Sequence, residues 1–108
     1  MLSMLNRTVF LCLTIVAVTN ICFAQSDGEA IYKTKCQTCH GETGAANTPV
    51  AKMLNVKPLN GLLVKMSEGR LSAIIEDGAG KMPAYKGKFS PIQLKALVLY
   101  TDHLQSQK

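Results

Sequence analysis

The sequence predicts a small all-α domain of three to four short helices, and three observations lead there. No stretch alternates apolar and polar residues with the period of a half-buried strand. Capping chemistry marks helix starts at Ser26-Asp27-Gly28-Glu29, Ser67-Glu68 and Ser90-Pro91-Ile92-Gln93. Between the first two stands Cys36-Gln37-Thr38-Cys39-His40, whose spacing is that of covalent c-type haem attachment. The helices are therefore expected to wrap around one covalent haem.

Residues 1–24 have the pattern of a cleaved signal peptide. Arg7 gives a basic start, Val9 to Val18 forms an apolar core interrupted by Thr14, and Cys22-Phe23-Ala24 puts small residues at the −3 and −1 positions. An uncleaved anchor fits less well, because the apolar run falls short of the roughly 20 residues of a spanning helix and Asn20 breaks it. Lipidation at Cys22 is disfavoured by the bulky Ile21 before it. The expected organisation is a signal peptide over 1–24 and one exported domain over 25–108, placed in the periplasm with no integral membrane segment after cleavage.

The first helix of that domain opens with Ser26 placed to cap and Glu29 to reach back to its amide. Ile31 and Tyr32 lie on one side of it, and its last turn delivers Cys36. Gly28 shares that side, four residues before Tyr32. A glycine costs about 1 kcal/mol inside a helix, so close contact with another helix is the expected reason for it. From Gly41 to Asn60 the composition turns to Gly, Thr, Asn and Pro, a loop with one short helical turn around Val50–Leu54.

Ser67-Glu68 starts a second long helix with Leu71, Ile74 and Ile75 as its buried face and Gly78 as its stop. Glu76 and Asp77 run against this pattern, since anions near a helix C-terminus are unfavourable by about a few tenths of a kcal/mol. Ser90-Pro91-Ile92-Gln93 is the clearest start: a capping serine, proline at the first helical position and glutamine at the third. Leu94, Leu97, Val98, Thr101 and Leu104 then recur at helical spacing as a core stripe flanked by Tyr100. Ile92, Ala96 and Leu99 form a weaker apolar stripe on the far side.

Each residue of the pentapeptide has a distinct task in haem attachment. Cys36 and Cys39 can each form a thioether with one haem vinyl group, and His40 is then held beneath the porphyrin where its imidazole reaches iron. A thioredoxin-like dithiol would use the same pair, but it needs a βαβ setting that the flanks do not offer. Structural zinc needs four ligands in two separated pairs, and after Ala24 the chain offers Cys36, Cys39, His40 and His103, three of them crowded together.

Size and charge agree with this. Removing residues 1–24 leaves 84 residues, a chain that buries only about 60–65% of its unfolded surface and gains from a covalent staple. Eleven basic side chains then face seven acidic ones, a mild excess. Aromatic residues are few among the lysines, so nucleic-acid binding has little support.

The iron's second axial ligand has four candidates: Met53, Met66, Met82 and His103. His103 lies about 180° around its helix from Leu94, on the solvent side. Met53 and Met66 sit in or beside helical stretches, where methionine commonly fills gaps in the core. Met82 lies in Gly80-Lys81-Met82-Pro83-Ala84-Tyr85, between a helix stop and a helix start, where Pro83 stiffens the backbone. Spacing favours Met82, with loop packing as its alternative role.

The order of helix, Cys36-Gln37-Thr38-Cys39-His40-Gly41, loop with Pro49, helix, Met82-Pro83 loop and final helix with Tyr100 resembles the small bacterial class I monohaem cytochromes c. The resemblance spans nearly all of residues 26–105 and implies a cytochrome c fold. It implies Cys36 and Cys39 as thioether sites, His40 as proximal ligand and Met82 as distal ligand of one haem c per chain. It also implies that the Pro49 carbonyl holds the other nitrogen of His40. The chain has no tryptophan, so a propionate contact that many relatives make would fall to Tyr85, Lys57 or Arg70.

A His/Met-ligated haem suits one-electron exchange and not substrate binding. The expected protein is a soluble periplasmic electron carrier, not an enzyme, that meets redox partners with acidic docking surfaces near Lys57, Lys81, Lys86 and Lys88. Two alternatives differ in class. One is the haem c subunit of a periplasmic dehydrogenase complex, with the Ile92/Ala96/Leu99 stripe as its interface. The other is a labile Met82 that opens iron to a diatomic gas or peroxide.

Overall fold

The computed structural model describes residues 27–61 and 64–107. The expected signal peptide over 1–24 and the Ser26 cap lie outside the described residues. Five helical segments follow one another: α1 over residues 27–35, α2 Gln37–His40, α3 Pro49–Leu54, α4 Glu68–Asp77 and α5 Pro91–Gln105. Three to four were expected; the additional one is α2, a single turn that carries most of the pentapeptide. Cys36 stands at the break between α1 and α2 (φ −118°, ψ −34°) instead of inside the last turn of α1.

Helix α1 meets α5 at Gly28. A Cβ at that position would overlap the Ala96 carbonyl oxygen, stand 2.7 Å from the Ala96 carbonyl carbon and 3.1 Å from Tyr100 Cβ. Only glycine lets the two backbones come this close, which is the contact expected from its place in a helix. One turn further on, Tyr32 is fully buried and its ring tilts against Tyr100, centroids 5.3 Å apart. Tyr32, Leu71, Ile75, Leu97, Val98 and Leu104 form the core, drawn from α1, α4 and α5.

Helix α5 starts as its sequence predicts. The Ser90 hydroxyl accepts the Gln93 amide at 3.2 Å while the Gln93 side chain accepts the Ser90 amide at 2.9 Å. Leu97, Val98, Thr101 and Leu104 are buried as expected, and the Thr101 hydroxyl is satisfied within the helix by the Leu97 and Val98 carbonyls. Sequence leaves open whether the second stripe packs or is exposed, and its members divide. Ala96 is core, because it stands under Gly28, whereas Ile92 is 77% exposed and Leu99 sits at the surface.

Helix α4 is capped by the Ser67 hydroxyl, which accepts the Arg70 amide at 3.2 Å, and ends at Gly78 (φ +74°), whose amide donates to the Ile74 carbonyl. Leu71 and Ile75 are buried; Ile74 is half-buried and turned to the cleft described below. Glu76 finds a partner in the Ser72 hydroxyl at 3.2 Å, which offsets part of its unfavourable position. Helix α3 begins at Pro49 under a Thr48 cap. The Thr48 hydroxyl accepts the Ala51 amide at 3.0 Å and donates to the Thr38 carbonyl at 2.7 Å, which ties α3 to α2.

Two glycine substitutions separate the roles of these positions. Gly28→Ala should lower stability by about 1–3 kcal/mol, since the helix backbones must part. Gly69, inside α4 with nothing within 4 Å of its would-be Cβ, should gain about 0.5–1 kcal/mol on change to alanine. Thermal unfolding of both variants measures the contrast; equal effects would contradict the crossing.

Candidate haem site

A cleft of about 610 Å³ opens between the α1–α2 junction, the end of α3 with the loop after it, α4 and the 79–85 loop. That volume lies within the range of about 300–1,000 Å³ common for cofactor sites. Cys36, Cys39 and His40 line it together with Met82, which is distant from them in sequence, and Leu54, Val56, Leu59 and Ile74 supply apolar wall. No carboxylate lines the cleft, while Lys35, Lys57 and Lys81 do.

Both cysteines are free thiols, half-buried. Burial, and secondarily the neighbouring Cys39, push the Cys36 thiol up to about 11. A disulfide-exchange pair needs the opposite, a thiolate stabilised near neutral pH, so the dithiol reading loses its chemistry. Among the described residues no three His, Cys, Asp or Glu side chains converge on a point that could hold a metal ion. Zinc therefore has no built site there.

His40 closes α2, and burial holds its pKa below the ordinary histidine value. It is thus a neutral imidazole at pH 7, the form that ligates a metal. Its Nδ1 is buried with no hydrogen-bond partner. The bond to the Pro49 carbonyl implied by the resemblance is not formed; Pro49 is instead the first residue of α3, where its carbonyl faces along the helix. The segment after His40 is held by Tyr32, whose hydroxyl donates to the Gly41 carbonyl at 2.6 Å in the interior. The sequence put Tyr32 on the same side of its helix as Gly28 without showing this second task.

Met82 is presented by a tight turn. Its amide donates to the Ala79 carbonyl at 2.9 Å and its carbonyl accepts the Ala79 amide at 3.2 Å, with Gly80 at φ +55° between them. Gly78 packs so closely beneath that a Cβ there would stand 2.7 Å from the Met82 carbonyl oxygen. Tyr85 anchors the far side of the loop. Its amide donates to the Ile75 carbonyl at 3.0 Å, its hydroxyl to the Lys35 carbonyl at 3.3 Å, and its ring stacks on Phe89.

The other ligand candidates separate. Met53 is 78% exposed and His103 is exposed, both away from the cleft, whereas Met66 does line it beside Met82. Of the residues considered for propionates, Lys57 and Tyr85 border the cleft and Arg70 does not. Lys35 and the aliphatic walls were not singled out from sequence; only their location in the fold identifies them.

Two thiols, a neutral imidazole with an orphaned buried nitrogen and a thioether around an apolar cleft match the donor set of haem c and its need for a dry pocket. An all-helical domain with this arrangement is a cytochrome c domain, a module that transfers electrons through haem c. The family model for cytochrome c oxidase, cbb3-type, subunit III matches residues 23–100, and the chain belongs to that family. It is also 30% identical over 81 residues to the cbb3-type cytochrome c oxidase subunit FixP of Bradyrhizobium diazoefficiens. That alignment covers 75% of this chain and 28% of the relative, so the chain spans under a third of FixP's length. Among the described residues no helix is long and apolar enough to cross a membrane.

The Tyr32 hydroxyl gives a test with a pH signature. Tyr32→Phe removes the shorter of the two bonds to the buried Gly41 carbonyl, leaving it the Gly44 amide at 3.3 Å, and should cost about 0.5–1.5 kcal/mol at pH 7. Burial raises the Tyr32 pKa above its ordinary value of 10.0 in the folded protein. Above pH 10 the unfolded chain therefore releases a proton that the folded one keeps, and stability falls as pH rises. The variant lacks this loss, so the gap between the two proteins should narrow above pH 10. Urea unfolding at pH 7 and pH 10.5 reads it; a constant gap would contradict the assignment.

Proposed function

We propose that the chain carries one haem c, bound through Cys36 and Cys39 with His40 and Met82 as axial ligands, and works as a one-electron carrier in the periplasm. The observation that supports this most is the convergence of these four side chains on one apolar cleft. A bound haem supplies reversible ferric–ferrous exchange, and a methionine sulfur favours the ferrous form. The residues around it do the rest. The Cys36 and Cys39 sulfurs provide two covalent tethers, and the neutral His40 provides a nitrogen donor without losing a proton first.

The tight turn from Ala79 to Met82 fixes the backbone behind the Met82 thioether, which suits a ligand that must not rearrange when charge changes. The apolar walls from Leu54, Val56 and Leu59 keep water from the cleft. Lys57 and Tyr85 stand where they can hold propionates. Lys35, Lys57 and Lys81 surround the cleft with positive charge that no cleft-lining carboxylate offsets, so the favoured partner is a redox protein with an acidic docking surface. We further take residues 1–24 to be removed on export, leaving the domain over 25–108.

The similarity to FixP favours one variant of this role. In it the chain passes electrons to or within a cbb3-type oxidase, which takes the place of the dehydrogenase partner considered from sequence. Co-purification in a stable oxidase complex separates that version from a free carrier.

The ligand assignment is tested by the weak ferric absorption band that reports sulfur–iron bonding. The purified oxidised protein should show the band, Met82→Ala should abolish it, and Met66→Ala should keep it. A band that survives Met82→Ala and disappears in Met66→Ala would transfer the ligand role to Met66.

A further inference from the structure

Gln105, in the last turn of α5, is only 5% exposed, an uncommon place for an amide side chain. Both of its polar atoms are spent on one residue. Its Oε1 accepts the Met66 amide at 2.9 Å, and its Nε2 donates to the Met66 carbonyl at 3.1 Å. One side chain thus supplies what a neighbouring strand or helix would otherwise supply to both main-chain groups of Met66. Nε2 also lies 3.4 Å from Asp102 Oδ1, and Asp102 Oδ2 pairs with Lys65 Nζ at 3.1 Å. Residues 65 and 66 are therefore tied to a single turn of α5.

Met66 is a point where such a tie has consequences. It directly precedes the Ser67 cap of α4, packs against the core and lines the cleft. Leu59, another wall residue, hangs from the same turn. Its amide donates to the Gly44 carbonyl at 2.6 Å, and Gly44 is wedged between Leu59 and Leu104. The end of α5 thereby carries part of the cleft wall.

We infer that Gln105 is a positioning residue for the haem site: by clamping the main chain of Met66 it holds the cleft wall in place and keeps small competing ligands out. This rests on the haem reading of the cleft.

The test compares the ferric holoprotein with its Gln105→Leu and Gln105→Glu variants, and with Ser90→Ala, which removes the α5 cap, as a variant destabilised at a different contact. Two rates are read: hydrogen exchange of the Met66 amide and binding of imidazole to the haem. Loss of both bonds in Gln105→Leu should accelerate each by about tenfold. Gln105→Glu retains an acceptor for the Met66 amide and should show a smaller acceleration in imidazole binding; it carries the comparison if the leucine variant does not fold. In a Met66→Ala background, Gln105→Leu should add less than about twofold to imidazole binding. Imidazole rates unchanged in the Gln105 variants, or raised equally in Ser90→Ala, would overturn the inference. Failure of the haem reading is distinct: the parent protein itself would then hold no covalent haem.

Discussion

Helix α1 approaches α5 so closely at Gly28 that a single added carbon would collide with the Ala96 carbonyl, and the placement of the cysteine pair follows from that approach. With the two backbones in contact, Tyr32 is forced into the interior against Tyr100 and Leu97. Its hydroxyl then reaches the Gly41 carbonyl and sets the course of the chain just beyond His40. Cys36, Cys39 and His40 lie between those two fixed points, within one turn of helix and its junction. A larger residue at position 28 would move the whole motif relative to α4 and the Met82 loop, and the cleft would lose its shape.

Among the described residues the main core cluster is small and comes from α1, α4 and α5. Leu54, Val56, Leu59, Met66, Ile74 and Met82 line the cleft, an apolar surface that is costly unless something apolar fills it. Fold and cofactor are then one problem: the residues that hold a haem are also those that lack other partners. His40 Nδ1 is in addition a buried polar atom with no partner in the chain.

The parts legible in sequence are those set by local chemistry. Ser67 and Ser90 cap where their spacing says they should, Gly78 ends α4, and Leu97, Val98, Thr101 and Leu104 are buried at helical period. The pentapeptide and Met82 could be picked out because haem attachment and ligation demand particular residue types at particular spacings. What escaped depends on contacts across the fold. Ala96 belongs to the core because Gly28 lies over it, and Ile92 is left exposed because no element among the described residues covers that side of α5. Gln105 occupied a core register as a polar residue, and that mismatch was the one signal of its bonds to Met66. Thr48 likewise appeared as loop composition until its cap and its bond to Thr38 were seen together.

The chain belongs to the cbb3-type subunit III family, and the FixP relative is more than three times the length that this chain matches. The account nonetheless stands or falls on the covalent tether. The most direct measurement is the intact mass, after denaturation, of the protein exported in a host that attaches c-type haem. The account predicts a mass equal to residues 25–108 plus one haem, lost in the Cys36→Ser, Cys39→Ser protein. A chain that comes through denaturation with no haem attached would contradict it.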